Sequence, residues 1–287
     1  MLRELRTLVD YIEDHLTQPI TMEELAELSN LSLHQLRTVF FHLCGFTLQE
    51  YIRGRRLSCA NQDLLQKEAV TTVAYKYGYE SLDGFTRAFK AWSGVLPSDV
   101  NKTGIHRAFP KLSFLITVQG GTTMEYRIEQ KEAFRIAGIK KRVKMQFEGV
   151  NKEIVALAQS ITPMQREEMH ALQNMEPREI VNASFEADGA FQKEEGYLTH
   201  MIGILTTSEQ ISEQLEYTSV QSSTWAVFPN KGPFPATLQQ TMASIYAQWL
   251  PSADYELADL PSFSFTRWAE LENNQVYSEI WIPVKQK

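Results

Sequence analysis

The segment 276–284, VYSEIWIPV, places one carboxylate among aromatic side chains. If this segment is a β-strand, alternate residues share a face, so Tyr277, Glu279 and Trp281 lie side by side. A carboxylate flanked by rings suits an apolar cation, which gains charge pairing from the acid and cation–π attraction from the rings. The alternative is an aromatic core with a solvated strand charge. Because an acid inside an aromatic strand face is uncommon, the pattern favours a ligand pocket.

Other aromatic residues of the C-terminal half are candidates for the wall of this pocket: Tyr197, Trp225, Tyr246, Trp249 and Trp268. No nucleophile–histidine–acid set or cluster of metal ligands accompanies them. His170 and His200 are isolated in the sequence and fit surface or core positions. We therefore expect a binding site, with no catalytic residue, no metal and no cofactor.

A second candidate chemistry lies in two similar stretches, NLSLHQLRTVFFHL at 30–43 and YGYESLDGFTRAFKAW at 77–92. Each has a turn residue, a Ser and then apolar residues at helical spacing. Asn30 aligns with Gly78 at the turn, and Phe40 aligns with Phe89 in the helix that follows. A small or left-handed residue between two helices is what a helix-turn-helix requires. The sequence therefore predicts two such motifs in tandem.

The outward faces of the two second helices carry residues that can contact DNA. Arginine is the best bidentate donor to guanine, and threonine can contact a base edge or the thymine methyl group. The outward residues are Leu33, His34, Arg37, Thr38 and Phe41 in the first helix and Leu82, Asp83, Thr86, Arg87 and Lys90 in the second. Arg53, Arg55, Arg56 and Lys76 add positive charge for phosphates. A helical bundle with solvated basic residues is the alternative, but two motifs in tandem favour DNA binding.

The charge distribution is compatible with this interpretation. The chain has 287 residues and a formal net charge of −7. The first 123 residues are balanced, with 13 basic and 13 acidic side chains, so the acidic excess lies entirely in the C-terminal part. Acidic residues of the first two helices can face solvent or RNA polymerase. Clustered basic residues thus permit a double-stranded DNA partner despite the negative total.

The elements that position these residues differ between the two halves. Residues 1–100 show helical periodicity, and Thr21–Glu24, Ser32–Gln35 and Thr47–Glu50 are capping boxes at helix starts. After residue 124 the chain is rich in strand-forming and aromatic residues, with helices expected near 149–161 and 236–250. The order of strands, a helix and strands occurs twice, which indicates an α+β domain of two similar halves.

Cys44 and Cys59 have no metal-ligand spacing and are expected to be reduced thiols. No export signal or run of 18 apolar residues is visible, so the sequence predicts a cytoplasmic protein without a membrane partner.

Residues 1–100 resemble the DNA-binding domain of the AraC/XylS family of bacterial transcription regulators. The resemblance covers PITMEELAELSNLSLHQLRTVFFHLCGFTLQEYIRGRRL and VTTVAYKYGYESLDGFTRAFKAWSGVLPSDV. It implies an all-α domain of seven helices with two recognition helices in successive major grooves. The chain departs from the family at Val100 and Asn101, where an aromatic residue and Arg are usual, and at Leu82 and Asp83, where neutral polar residues are usual.

The C-terminal half resembles the GyrI-like effector-binding domain of multidrug-responsive regulators, which can follow an AraC-type domain. The resemblance is carried by AVFPNKGPFP, IYAQWLP and EIWIPV. It implies duplicated β-α-β-β units with a pocket between the halves. The expected organisation is a DNA-binding domain at 1–106, a connecting segment at 107–123 and an effector domain at 124–287.

The sequence thus predicts a DNA-binding transcription regulator controlled by a small lipophilic cation. One alternative is hydrolysis of strained electrophiles by the C-terminal domain, as the resemblance to stand-alone relatives implies. The other is a degenerate pocket, with a protein partner as the signal.

Overall fold

The computed structural model describes residues 2–103, 107–113, 124–146, 149–187, 196–268 and 275–287. Over its described residues the chain forms two compact units. The first comprises Met1–Asn30 and Phe46–Val118, and the second comprises Leu31–Gly45 and Gln119–Lys287. The predicted domain 1–106 therefore contains one segment, 31–45, that groups with the C-terminal strands. Of the predicted connection 107–123, residues 114–123 lie outside the described residues.

The N-terminal hundred residues are helical, as predicted. The helices are α1 (Leu2–Asp14), α2 (Met22–Ser29), α3 (Leu33–Cys44), α4 (Leu48–Leu65), α5 (Val70–Lys76), α6 (Leu82–Ser93) and α7 (Val100–Thr103). The three predicted capping boxes, at Thr21, Ser32 and Thr47, are all present at the starts of α2, α3 and α4. In each box the hydroxyl and the side chain three residues later satisfy backbone N–H groups that the helix leaves free.

The two predicted turns have the expected left-handed backbone. Asn30 has φ 54° and Gly78 has φ 79°, a region that asparagine and glycine enter at low cost. After the second turn, Phe85 and Phe89 of α6 are fully buried in the core of the first unit, together with Leu57 and Val73. These burials confirm the inward side predicted for α6.

The second unit is built on one sheet that has nine strands among the described residues. The strands are β1 (Arg127–Lys131), β2 (Phe134–Lys144), β3 (Val181–Phe185), β4 (Tyr197–Thr206), β5 (Glu216–Val220), β6 (Ser223–Pro233), β7 (Tyr255–Leu257), β8 (Ser262–Arg267) and β9 (Gln275–Gln286). Their order is β1-β6-β9-β8-β3-β4-β2-β5, with β7 paired to β9. The helices are α8 (Lys152–Ser160), α9 (Pro163–Leu172), α10 (Ala236–Ser244), a π-helical turn (Ile245–Trp249) and α11 (Leu250–Ser252).

The sheet confirms the predicted duplication. Strands β2, β3 and β4 form one half with α8 and α9, and β6, β8 and β9 form the other half with α10. The halves meet where β3 pairs with β8, with Ala183 opposite Phe263. Each half also gains an outer strand from elsewhere in the chain, because β5 pairs with β2 and β1 pairs with β6.

Alternation along the strands gives the sheet two different faces. The aromatic face carries Trp225, Phe263 and Trp281, which pack in one buried cluster with Tyr277 beside it. The other face, here called the helix face, is covered by helices: Met169 of α9 packs on Ile204, and Trp249 packs on Phe228 with ring centroids 4.9 Å apart.

Cys44 and Cys59 are free thiols, as predicted. Over the residues that the structure describes, no helix is both long and apolar enough to cross a membrane.

Candidate functional sites

Helix α6 presents the outward side that the sequence predicts for DNA contact. Its exposed residues are Leu82, Asp83, Arg87 and Lys90, with Thr86 partly buried beside them. Ser81 begins the helix by accepting a hydrogen bond of 3.1 Å from the backbone N–H of Gly84. The exposed side therefore offers a guanidinium, a hydroxyl and an ammonium group on a rigid helix, as recognition of a major groove requires.

The three arginines predicted to contact phosphates differ in their surroundings. Arg53 is exposed on α4. Arg55 instead donates to both carboxylate oxygens of Glu13, at 2.8 and 2.7 Å, and this hydrogen bonding raises its pKa. Arg56 donates to the backbone carbonyls of Leu16 and Gln18 at 2.8 and 2.7 Å.

The role of Arg55 and Arg56 in phosphate contact stays a prediction. In this structure their guanidinium groups hold α4 to α1 and the turn that follows α1. The sequence did not reveal these bonds because their partners lie 38–42 residues away in the chain.

The prediction that His34, Arg37 and Thr38 point outward from α3 is wrong for this structure. Arg37 and Thr38 are each 7% exposed, and His34 is partly buried. The physical reason is that α3 packs within the second unit, against the π-helical turn. A side chain at Gly196 would collide with the Arg37 guanidinium. The role of these three residues in DNA contact stays a prediction.

Two contacts fix α3 in the second unit. Gln35 Nε2 donates to the backbone carbonyl of Ala258 at 2.7 Å. The ring of His42 stacks on Tyr246, with centroids 5.6 Å apart and an interplanar angle of 4°. These contacts come from the same helix as the residues predicted to contact DNA. Helix α3 is therefore held within the second unit by neighbours of those residues.

The predicted carboxylate Glu279 lies on the aromatic face and is almost fully buried. Arg127 of β1 donates to both of its oxygens, each at 2.9 Å. The Tyr277 hydroxyl donates at 2.7 Å and Trp281 Nε1 donates at 3.0 Å. Burial opposes ionisation, but the bonds from Arg127 and Tyr277 outweigh it, so the pKa of Glu279 is lowered. Glu279 is therefore an ionised carboxylate that already holds a cation.

The ring of Trp281 also contacts cations. The Arg127 guanidinium lies 5.4 Å from its centroid and the Lys131 ammonium 4.7 Å. Burial lowers the pKa of Lys131, with a smaller opposing effect from Glu129. Both contacts lie within the distance at which a ring attracts a cation. The predicted combination of charge pairing and cation–π attraction is thus present, with the protein's own side chains as the cations.

The predicted pocket wall divides into residues near Glu279 and residues away from it. Trp225 is fully buried on the aromatic face, with its ring centroid 6.4 Å from that of Trp281. Tyr197 is partly buried at the start of β4. Trp268 is 68% exposed and packs on Phe234.

Tyr246 and Trp249 lie on the helix face, so their assignment to the Glu279 wall is corrected. Trp249 contacts Phe228, whose neighbour Val227 lies on the aromatic face. Consecutive strand residues point to opposite faces. Residues that share aromatic chemistry are therefore separated by the thickness of the sheet.

Arg127 and Lys131 are functional residues that the sequence did not predict. Both lie in the segment RIEQK, where basic and acidic residues alternate on one face of β1. Arg127 of β1 is paired with Val227 of β6, and Val227 is paired in turn with Trp281 of β9. This register brings Arg127 into the row that contains Trp281. The alternation was visible in the sequence, but the pairing of β1 with β6 was not.

Comparison with known families identifies both halves. The model described as a GyrI-like small molecule binding domain matches residues 124–285. The model described as a helix-turn-helix domain matches residues 25–103.

Three related proteins illustrate the similarity. The multiple antibiotic resistance protein MarA of Salmonella typhimurium is 33% identical over 103 residues, which are 36% of this chain and 81% of MarA. The XylDLEGF operon transcriptional activator 3 of Pseudomonas putida is 39% identical over 95 residues, 32% of this chain and 29% of the activator. The structure of SAV2435 bound to tetraphenylphosphonium is 21% identical, with a TM-score of 0.43, and covers 56% of this chain and 94% of SAV2435.

Proposed function

The chain belongs to the AraC family of DNA-binding transcription regulators and carries a GyrI-like small molecule binding domain, and we propose that a lipophilic organic cation controls it by binding at Glu279. The observation that supports this ligand class is the pairing of Glu279 with Arg127. A nearly buried carboxylate is costly without a counter-charge. The site therefore requires a positive group, which an external cation can supply in place of the guanidinium.

The surroundings of Arg127 make such an exchange physically reasonable. Its side chain is 43% exposed, whereas that of Glu279 is 8% exposed. Arg127 Nε also donates to Glu129 at 2.6 Å, so a second acceptor is at hand when the guanidinium leaves Glu279. Tyr277 and Trp281 would continue to donate to the carboxylate. A cation with apolar substituents would then gain the face of Trp281, which Arg127 and Lys131 cover in this structure.

The test compares three glutamine variants with one cation and its uncharged isostere. The probes are benzyltrimethylammonium and neopentylbenzene, titrated by calorimetry. Glu279→Gln keeps the volume and removes the charge, so it should weaken the cation about 10- to 100-fold, as expected for a hydrogen-bonded charge. It should leave the neutral isostere unchanged. Arg127→Gln removes the internal competitor and should tighten binding of the cation.

Glu256→Gln is the matched control, because its exposed carboxylate pairs with Lys285 and not with Arg127. It should change cation binding by less than about threefold, as is usual for exposed ion pairs. Equal affinity of the parent and Glu279→Gln for the cation would sink the proposal.

We also propose that α6 recognises double-stranded operator DNA through Thr86 and Arg87, with Leu82, Asp83 and Lys90 beside them. Arg87→Ala should cost about 1–3 kcal/mol and relax specificity at one base position. Arg53→Ala, the exposed arginine of α4, should weaken all sequences alike and flatten the dependence on salt. The measurement is selection from a random DNA pool at two salt concentrations. An unchanged consensus for Arg87→Ala would contradict the assignment.

The corresponding role of His34, Arg37 and Thr38 requires a conformation in which that side of α3 is open. RNA polymerase is the protein partner that we propose for the exposed acidic residues of α2, Glu23, Glu24 and Glu27.

A further inference from the structure

The helix face carries a row of polar side chains at the junction of the two halves. Where β3 pairs with β8, Asn182 lies opposite Ser264 and Ser184 lies opposite Ser262. His200 of β4 extends the row, since it is paired with Ser184. Its ring is 3.0 Å from the Ser184 hydroxyl and 3.2 Å from Asn182 Oδ1. A continuous polar floor thus crosses the centre of a sheet whose opposite face is aromatic.

A cavity of about 240 Å³ lies over this floor, and every residue that lines it belongs to the second unit. Its walls include Met145, Met242 and Tyr246, and α3 supplies His34, Thr38 and His42. About eight waters would fill this volume, at roughly 30 Å³ each. The cavity is therefore large enough for a small ring compound.

Several polar groups of the lining have no partner in the protein. His34 Nδ1 is buried and accepts or donates no hydrogen bond. Within the described part of the chain, the hydroxyls of Ser262 and Ser264, which are partly buried, make no hydrogen bond in the protein. Buried polar groups normally have hydrogen-bond partners, because a buried donor or acceptor without a partner costs free energy. These groups can be satisfied by an occupant that both donates and accepts.

The described lining of the cavity is uncharged and favours an uncharged occupant. The described lining residues include no Asp, Glu, Lys or Arg. Burial lowers the pKa of His34, His42 and His200 to about 4, with a further lowering at His34 from Arg37 and an opposing effect from Asp259. All three imidazoles are therefore neutral at pH 7. An ion in this cavity would meet no counter-charge among the described lining residues, since Arg37 and Asp259, which act on His34, are not part of the lining.

We infer that this cavity binds a small, uncharged, planar molecule with hydrogen-bond donors and acceptors, distinct from the cation at Glu279. Planarity follows from the walls, where the parallel rings of His42 and Tyr246 and the thioethers of Met145 and Met242 offer flat, polarisable surfaces. The floor supplies hydroxyl, amide and imidazole groups at the junction of the halves. A ring with one amide substituent matches this arrangement.

The test uses benzamide with its anionic and cationic isosteres, benzoate and benzamidine. Full-length protein labelled with ¹³C at the methionine methyl groups reports the location of binding by NMR. Benzamide should shift the Met145 and Met242 signals with a dissociation constant below about 1 mM. It should leave Met175 unshifted, since that side chain packs against the aromatic face. At Met242 both charged isosteres should bind at least about tenfold more weakly, because the cavity has no counter-charge.

Two outcomes would overturn the inference. One is the absence of any shift at Met145 and Met242 when benzamide is present at about ten times the expected upper limit of its dissociation constant. That result would mean that the cavity holds water only. The other is equal binding of all three isosteres, which would mean that neutrality of the lining does not select the ligand.

Variants locate the site without depending on the Glu279 proposal. Ser264→Leu fills the cavity from the floor and should reduce benzamide affinity at least about tenfold. Ser264→Ala, which carries little risk to folding, should reduce it about fivefold through loss of one hydrogen bond. Ser219→Leu, the same change at an exposed position of β5, should have no effect. Unchanged affinity in both Ser264 variants would exclude the cavity.

Glu279→Gln separates this inference from the proposed function. That variant should bind benzamide as the parent does, whether or not it loses the cation. If Glu279→Gln loses benzamide binding while both Ser264 variants keep it, benzamide binds on the aromatic face. That result would overturn the inference.

Discussion

The two faces of the sheet are built from the same strands, yet one carries a partly buried ion pair and the other a row of uncharged polar side chains. On the aromatic face Glu279 is ionised and paired with Arg127. On the helix face His200 is held neutral by burial, and its hydrogen-bond partners Ser184 and Asn182 are uncharged. Because successive strand residues alternate between faces, β8 contributes Phe263 to one side and Ser264 to the other. Alternation alone can thus place two chemically separate sites on one small sheet.

The comparison depends on the aromatic face being a packed core around a small charged site. Trp225 is fully buried and contacts Phe263 and Trp281, so Trp225→Ala should lower the free energy of unfolding by about 3–5 kcal/mol. The exposed Trp268 is the control, and Trp268→Ala should change stability by less than about 0.5 kcal/mol. Urea denaturation measures both. A loss below about 1 kcal/mol for Trp225→Ala would identify an open pocket instead of a core.

The pH dependence of stability also tests the difference between the two faces, with a smaller expected effect than that of Trp225→Ala. Unfolded histidine titrates near 6.5, whereas burial lowers the pKa of His200 to about 4. Stability from the neutral imidazole is therefore present above pH 6.5 and is lost as pH falls toward 4. Between pH 6.5 and 5.5 the loss should be about 1 kcal/mol. On the aromatic face the Glu279 carboxyl contributes in a separate window, below 4.5, because its pKa is lowered.

His200→Gln should therefore flatten the stability profile between pH 6.5 and 5.5, measured by urea denaturation at several pH values. His34 and His42 also have lowered pKa values, so their contribution to the slope of stability against pH remains in this variant. His170→Gln, exposed on α9, should keep the full slope of the parent. A His200→Gln profile as steep as that of the parent would show that the helix face tolerates charge.

The sequence predicted the local features of this fold well. Capping boxes at Thr21, Ser32 and Thr47 and the left-handed turn residues Asn30 and Gly78 follow from interactions within a few residues, which a sequence displays directly. The alternation around Glu279 likewise predicted a carboxylate beside aromatic rings.

The features that the sequence did not predict depend on distant pairing. Arg127 reaches Glu279 only because β1 pairs with β6, and no local pattern specifies that register. The burial of Arg37 depends on the packing of α3 in the second unit, which helical periodicity cannot reveal. Periodicity predicts which side of an element is apolar, but it does not predict which polar side becomes covered.

The pairing of β1 with β6 also has a consequence for synthesis of the chain on the ribosome. Arg127 and Glu279 are separated by 152 residues. At roughly 5–20 residues per second, the carboxylate emerges about 8–30 s after the arginine that neutralises it. During the first part of that interval β6, the partner of β1 in the sheet, has not yet been synthesised. The proposed cation site at Glu279 therefore requires β9 to have left the ribosome before the carboxylate can meet Arg127.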